Sequence, residues 1–96
     1  MLIKAGVDIS RLERNTRRGL MRASRVMETA GEEIVITSTY EGTHGAGSLH
    51  YANQAFDMRQ PEHDPVTAIH ELKDCLGDDF DVVGETDHIH IEYDPK

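Results

Sequence analysis

Tryptophan is missing from this chain, and three tyrosines and two phenylalanines are its only aromatic residues. Any core must therefore be filled by aliphatic side chains. A single cysteine, Cys75, excludes an intramolecular disulfide. No stretch approaches the ~20 consecutive apolar residues of a membrane span. The opening Met1-Leu2-Ile3-Lys4-Ala5-Gly6-Val7-Asp8 also lacks the apolar run of a signal peptide. The expectation is a soluble chain, cytosolic as synthesised, with no membrane partner. Internal repeats, low-complexity segments and linkers are missing too, and 96 residues suffice for one domain but not for two. A core of this size makes a bound metal a contributor to stability.

Basic residues are scarce overall and concentrated in one place. Lys and Arg number 10 against 18 Asp and Glu, a net charge of −8. The first 25 positions hold seven basic and two acidic residues, a local +5 that leaves −13 for the remainder. An acidic body argues against general nucleic-acid binding, and a monomer is expected. The arginines Arg11, Arg14, Arg17, Arg18, Arg22 and Arg25 read most simply as a solvated helix face. The sharper reading is an anchor for an anionic polymer such as nucleic acid or wall teichoic acid.

Hydrophobic periodicity predicts the elements. Leu2 to Val7 reads as a short edge strand. Asp8 or Ser10 offers an N-cap for a helix running to about Ala30, with a stripe of Leu12, Thr16, Gly19, Leu20, Ala23, Val26, Met27 and Ala30. Gly31 stops it. Glu33 to Tyr40 is a buried strand rich in β-branched residues, and Glu41 to Ser48, with three glycines, is a loop. Gln54 to Arg59 forms the next strand. Asp64 caps a second helix that starts with Pro65 and buries Val66, Ile69, Leu72 and Leu76 before Gly77 ends it. Phe80 to Val83 and His88 to Tyr93 pair through Gly84-Glu85-Thr86-Asp87. The predicted fold is α+β: a small antiparallel sheet with helices packed on one face and the other face open.

Two stretches carry the chemistry. Asp87-His88-Ile89-His90-Ile91-Glu92-Tyr93 alternates, so His88, His90 and Glu92 face one way and Ile89, Ile91 and Tyr93 the other. Ser48-Leu49-His50-Tyr51-Ala52-Asn53-Gln54-Ala55-Phe56-Asp57 ends with Phe56 and Met58 facing the core and Ala55, Asp57 and Arg59 facing out. His50 and Asp57 are an odd number of residues apart, which requires a bend near Tyr51 to Asn53. Paired strands would let His50, Asp57 and His90 converge as a three-ligand set for catalytic zinc with one position open to water. The plainer reading of the second stretch is a polar strand face that happens to hold histidines. His44, in the glycine loop, is a candidate substrate contact. His63 and His70 read as surface residues, and Cys75 as helix packing.

The conjunction of Ser48-x-His50, Ala55-x-Asp57 and Asp87 three residues before His90 resembles one group of zinc peptidases. That group includes D-alanyl-D-alanine carboxypeptidases and dipeptidases, phage L-alanyl-D-glutamate endolysins and the hedgehog signalling domain. The strand Ile36-Thr37-Ser38-Thr39-Tyr40 is similar to the one preceding the motif there. The resemblance implies Zn2+ held by His50, Asp57 and His90, with Asp87 as general base and His88 assisting substrate or transition state. Ser48 belongs to the implied substrate-binding motif. The implied partner is a peptidoglycan stem peptide, cleaved at a bond involving a D-amino acid. Many members carry an Arg just after the Tyr, where it holds a substrate carboxylate. Glu41 stands here instead. Arg59, on the outward face with Asp57, is the available substitute, although pairing with Glu85 or Glu92 is its plainer expectation. Endopeptidase action is accordingly expected ahead of D-Ala-D-Ala carboxypeptidase action. Two other classes stay open: a non-catalytic zinc module of hedgehog type, and a metal-free interaction protein using the arginine helix.

Overall fold

The computed structural model describes residues 1–39, 53–62 and 64–95. Seven elements follow in the order β1 (Leu2–Ile3), α1 (Arg14–Thr29), β2 (Val35–Ser38), β3 (Ala55–Arg59), α2 (Pro65–Leu76), β4 (Phe80–Gly84) and β5 (His88–Tyr93). The strands form one sheet in the order β1-β2-β3-β5-β4. The fold is therefore α+β, but the sheet is mixed, not antiparallel: β1 runs parallel to β2, and the other neighbours are antiparallel. A parallel pair needs a long crossover, and α1 supplies it. The second helix does similar work. Both β3 and β4 are antiparallel to β5, so α2 joins two parallel strands with β5 inserted between them.

Both helices lie on one face. Leu20, Ala23 and Met27 of α1 and Ala68, Leu72 and Leu76 of α2 form one cluster with Ile36, Phe56, Met58, Val82, Ile89 and Ile91 of the sheet. Aliphatic residues fill this core as the composition demands, with Phe56 the one fully buried aromatic among the described residues. The helix boundaries differ from expectation in instructive ways. Glu13, not Asp8 or Ser10, caps α1, its side chain accepting from the Asn15 N–H. Asp8 instead takes the N–H and hydroxyl of Ser10 in a local turn, at 2.8 and 2.6 Å, so the chain between β1 and α1 is a loop. β1 is correspondingly cut to two residues. At the other end Gly31, at φ +81, sits just past the Ala30 C-cap. Its N–H reaches Glu28 O and that of Glu32 reaches Met27 O, a Schellman closure that only a left-handed residue permits. Asp64 caps α2 as expected, accepting from Thr67 N–H and Oγ, and Pro65 opens the helix. Val66, however, is 65% exposed, and Ala68 occupies the buried position in its place. Cys75 packs between the helices, its sulfur 4.0 Å from Arg22 O.

One close approach sets how α1 sits on the sheet. Gly19, in mid-helix, faces the Phe80 ring so tightly that a Cβ there would lie 2.4 Å from Phe80 Cζ. The ring cannot step aside easily, because it also stacks against Tyr93 at 5.3 Å between centroids. Alanine's intrinsic helix advantage of about 1 kcal/mol is therefore outweighed by overpacking of about 1–3 kcal/mol. Gly19→Ala is expected to lower the denaturant midpoint, and adding Phe80→Leu to recover part of the loss. A Gly19→Ala chain as stable as the parent would show that the ring relocates.

Candidate metal and catalytic site

The face of the sheet opposite the helices carries the polar side chains. Strand register decides which of them meet. Asp57 of β3 is directly across from His90 of β5, Arg59 from His88 and Ala55 from Glu92. On the far side of β5, Val83 is across from His90 and Asp81 from Glu92. Cross-strand partners share a face, so β3, β5 and β4 jointly present Asp57, Arg59, His88, His90, Glu92 and Asp81.

A continuous chain of contacts runs across this face. His88 Nδ1 is 2.7 Å from Asp87 Oδ1, and its Nε2 is 3.9 Å from Asp57 Oδ1. The same Asp57 oxygen is 2.9 Å from His90 Nδ1, and His90 Nε2 is 2.8 Å from Glu92 Oε1. Carboxylate and imidazole thus alternate from Asp87 to Glu92. An ionised carboxylate only accepts, so a histidine bonded to carboxylates through both nitrogens must carry both protons. The bond to Asp57 is the main reason that the His90 pKa is raised; burial opposes it, and Glu92 adds to the rise. Asp57 is 9% exposed and needs such partners, since a desolvated carboxylate without them is costly. Asp87, by contrast, is almost fully exposed, and its bond to His88 holds its carboxyl below the ordinary Asp range.

Of the expected site residues, the structure thus brings Asp57, His88 and His90 together and attaches Asp87 through His88. His44, Ser48 and His50, together with Glu41 and most of the expected bend, lie outside the described residues, as does His63. Asn53, the last residue of that bend, does have left-handed backbone at φ +60, two residues before β3 begins at Ala55. Arg59 is exposed and, among the described residues, forms no ion pair with Glu85 or Glu92. The expected pair with Glu92 fails by register, since Glu92 lies across from Ala55, four residues along β3 from Arg59. Glu92 itself is the residue that sequence reasoning left out of the site. Its signal was present: it follows His90 by two positions on the same strand face.

The donor chemistry suits zinc. Two ligands on a tetrahedral ion at about 2.1 Å are about 3.4 Å apart, and the Asp57 and His90 donor atoms need separate only slightly from 2.9 Å to meet that spacing. With Nδ1 on the metal side, Nε2–H would donate to Glu92, the arrangement by which a second carboxylate fixes the tautomer and orientation of a ligand histidine. Asp81, Glu92 and Asp94 form an acidic group that shares Glu92 with the chain above, with ligand oxygens all within 4.8 Å of one another. It offers oxygen alone, the donor of hard cations. Comparison with protein-family models, with curated proteins and with solved structures gives no match.

The charge on His90 sets a pH dependence. A raised folded-state pKa contributes stability that is complete below the unfolded value of about 6.5 and is lost as pH rises through the folded pKa. Metal-free protein is therefore expected to show a melting temperature that declines across that window. Asp57→Asn should flatten the decline and return the NMR-titrated His90 pKa toward its ordinary value, with Glu92→Gln having a smaller effect. A His90 titration unmoved by Asp57→Asn would contradict this pairing.

Proposed function

We propose that this chain is a zinc-dependent peptidase that hydrolyses peptidoglycan stem-peptide bonds involving D-amino acids. The observation that carries the reading is the Asp57–His90 pair backed by Glu92. It supplies two ligands of different strands, already oriented, on an otherwise solvent-facing sheet. His50, through the motif it shares with Asp57 and His90, is the third ligand of the proposal. Zinc held by these residues would polarise the scissile carbonyl and lower the pKa of a bound water toward about 7. The protein must then move a proton from that water to the leaving amine. Asp87 and His88 are the groups for this, Asp87 as acceptor and His88 beside the developing oxyanion. Their 2.7 Å contact supports a variant of the same scheme, in which Asp87 orients His88 and the imidazole carries the proton.

Substrate choice turns on Arg59. It lies two residues from Asp57 on the same strand face, about 6.6 Å along it, and directly across from His88. A guanidinium there suits a substrate carboxylate. Glu41 in place of the usual arginine favours internal stem-peptide bonds. Arg59, which forms no ion pair among the described residues, supports carboxypeptidase action on terminal D-Ala-D-Ala as the second reading.

Metal analysis of the purified chain is expected to give about one zinc per molecule. His50→Ala and His90→Ala should each abolish it and lower the melting temperature. Retention of stoichiometric zinc by both variants would overturn the ligand assignment. Glu92→Gln should keep the fold and weaken zinc binding about 10–100-fold.

Digestion of purified muropeptides, read by mass spectrometry, tests the reaction. Internal cleavage is expected; release of free D-alanine from pentapeptide stems would select the second reading, and Arg59→Ala should then raise KM at unchanged zinc content. Asp87→Ala should keep zinc and lose about 10²–10⁴-fold in kcat. An equal or larger loss in His88→Ala would make the imidazole the proton carrier. Intact muropeptides after treatment with zinc-loaded protein would refute the peptidase reading.

A further inference from the structure

The arginine cluster of the first quarter of the chain becomes one face of α1. Arg14, Arg17, Arg18, Arg22 and Arg25 are exposed and, with Met21, line a shallow groove of about 630 Å³. At about 1.5 Å rise per residue, the row is roughly 16 Å long. Among the described residues, none of the five arginines forms an ion pair with a carboxylate. One local rule is broken along this row. Arg14, Arg18 and Arg22 follow one another at i, i+4 spacing, where like charges repel. The carboxylate of Glu13 caps the helix N-terminus, and the first turn beyond it adds no acidic residue to offset the row. Uncompensated repulsion on an otherwise acidic protein points to an anion supplied from outside.

We propose that this face binds a linear polyol-phosphate polymer of the cell wall, of the teichoic-acid type, and so holds the domain on its substrate. This rests on the wall-peptidase reading above. The row is one helix wide, and Glu71 and Asp74 of α2 line the adjoining groove beside Arg25. A narrow single chain of phosphodiesters fits beside this acidic flank, whereas a nucleic-acid duplex would press its second strand against it. The groove also lacks aromatic residues, the stacking platforms on which single-stranded nucleic acids bind. Its place on the helical side of the sheet leaves Asp57, His88 and His90 free while the polymer is held.

The test titrates the full chain with poly(glycerol phosphate), with duplex DNA of equal phosphate content and with vesicles of an anionic phospholipid. For five phosphate contacts, Kd for the polymer should rise about 10²-fold between 50 and 200 mM salt. The triple variant R14Q/R18Q/R22Q should bind at least ~10-fold more weakly at low salt and lose most of that salt slope, with an unchanged circular dichroism spectrum and unchanged cleavage of soluble muropeptides. Equal binding by parent and triple variant would overturn the proposal, as would tighter binding of the parent to DNA or to vesicles. Soluble muropeptides carry no such polymer, so the two readings fail separately. Polymer bound through α1 with muropeptides left intact removes the peptidase reading alone, and cleavage without polymer binding removes this one alone.

Discussion

The carboxylate of Asp57 is the constraint around which the open face is arranged. It lies in the middle of β3, nearly out of contact with water, and one of its oxygens serves two histidines on the neighbouring strand. A carboxylate so placed must be matched by protons or by a metal, because its desolvation is otherwise uncompensated. His90 meets it at 2.9 Å and is itself held from the other side by Glu92 at 2.8 Å. The outcome is a carboxylate–imidazole pair whose orientation depends on strand pairing and not on a loop. Sites built on strands hold their geometry more closely than sites built on loops.

That pairing is enforced from the opposite face. Ile89 and Ile91 of β5 and Phe56 and Met58 of β3 are wholly or almost wholly buried beneath the helices. A slip of one residue would put histidines into the core and isoleucines into water. Packing of α1 and α2 thus maintains the meeting of Asp57 and His90 from across the sheet. Gly19 is part of the same arrangement, since it lets α1 come down onto Phe80 at the start of β4. The polar face and the apolar face are two consequences of one register.

Charge divides the molecule along the same lines. The sheet's open side and the β4–β5 end carry acidic residues, and the outer side of α1 carries arginines. An acidic surface around the Asp57–His90 pair favours cations and disfavours polyanions there. The arginine face is remote from it, separated by the thickness of the sheet and its core.

Much of this was written in the sequence. The alternation from His88 to Tyr93 determined which side chains share a face, because strand periodicity is a property of the backbone alone. Asp64-Pro65 and Gly31 marked helix ends through local chemistry, and the pairing of Asp57 with His90 followed from the two motif stretches. Tertiary structure decided the rest. The parallel pairing of β1 with β2 made the sheet mixed, which no local pattern encodes since the partners are more than thirty residues apart. Glu13 became the α1 cap because its N–H is held by Asn53 O, a contact set by the entry to β3. Val66 went to the surface because α2 is buried only along the side that meets α1 and β4. Glu92 came to His90, and not to Arg59, because folded register sets it across from Ala55, four residues along β3 from that arginine.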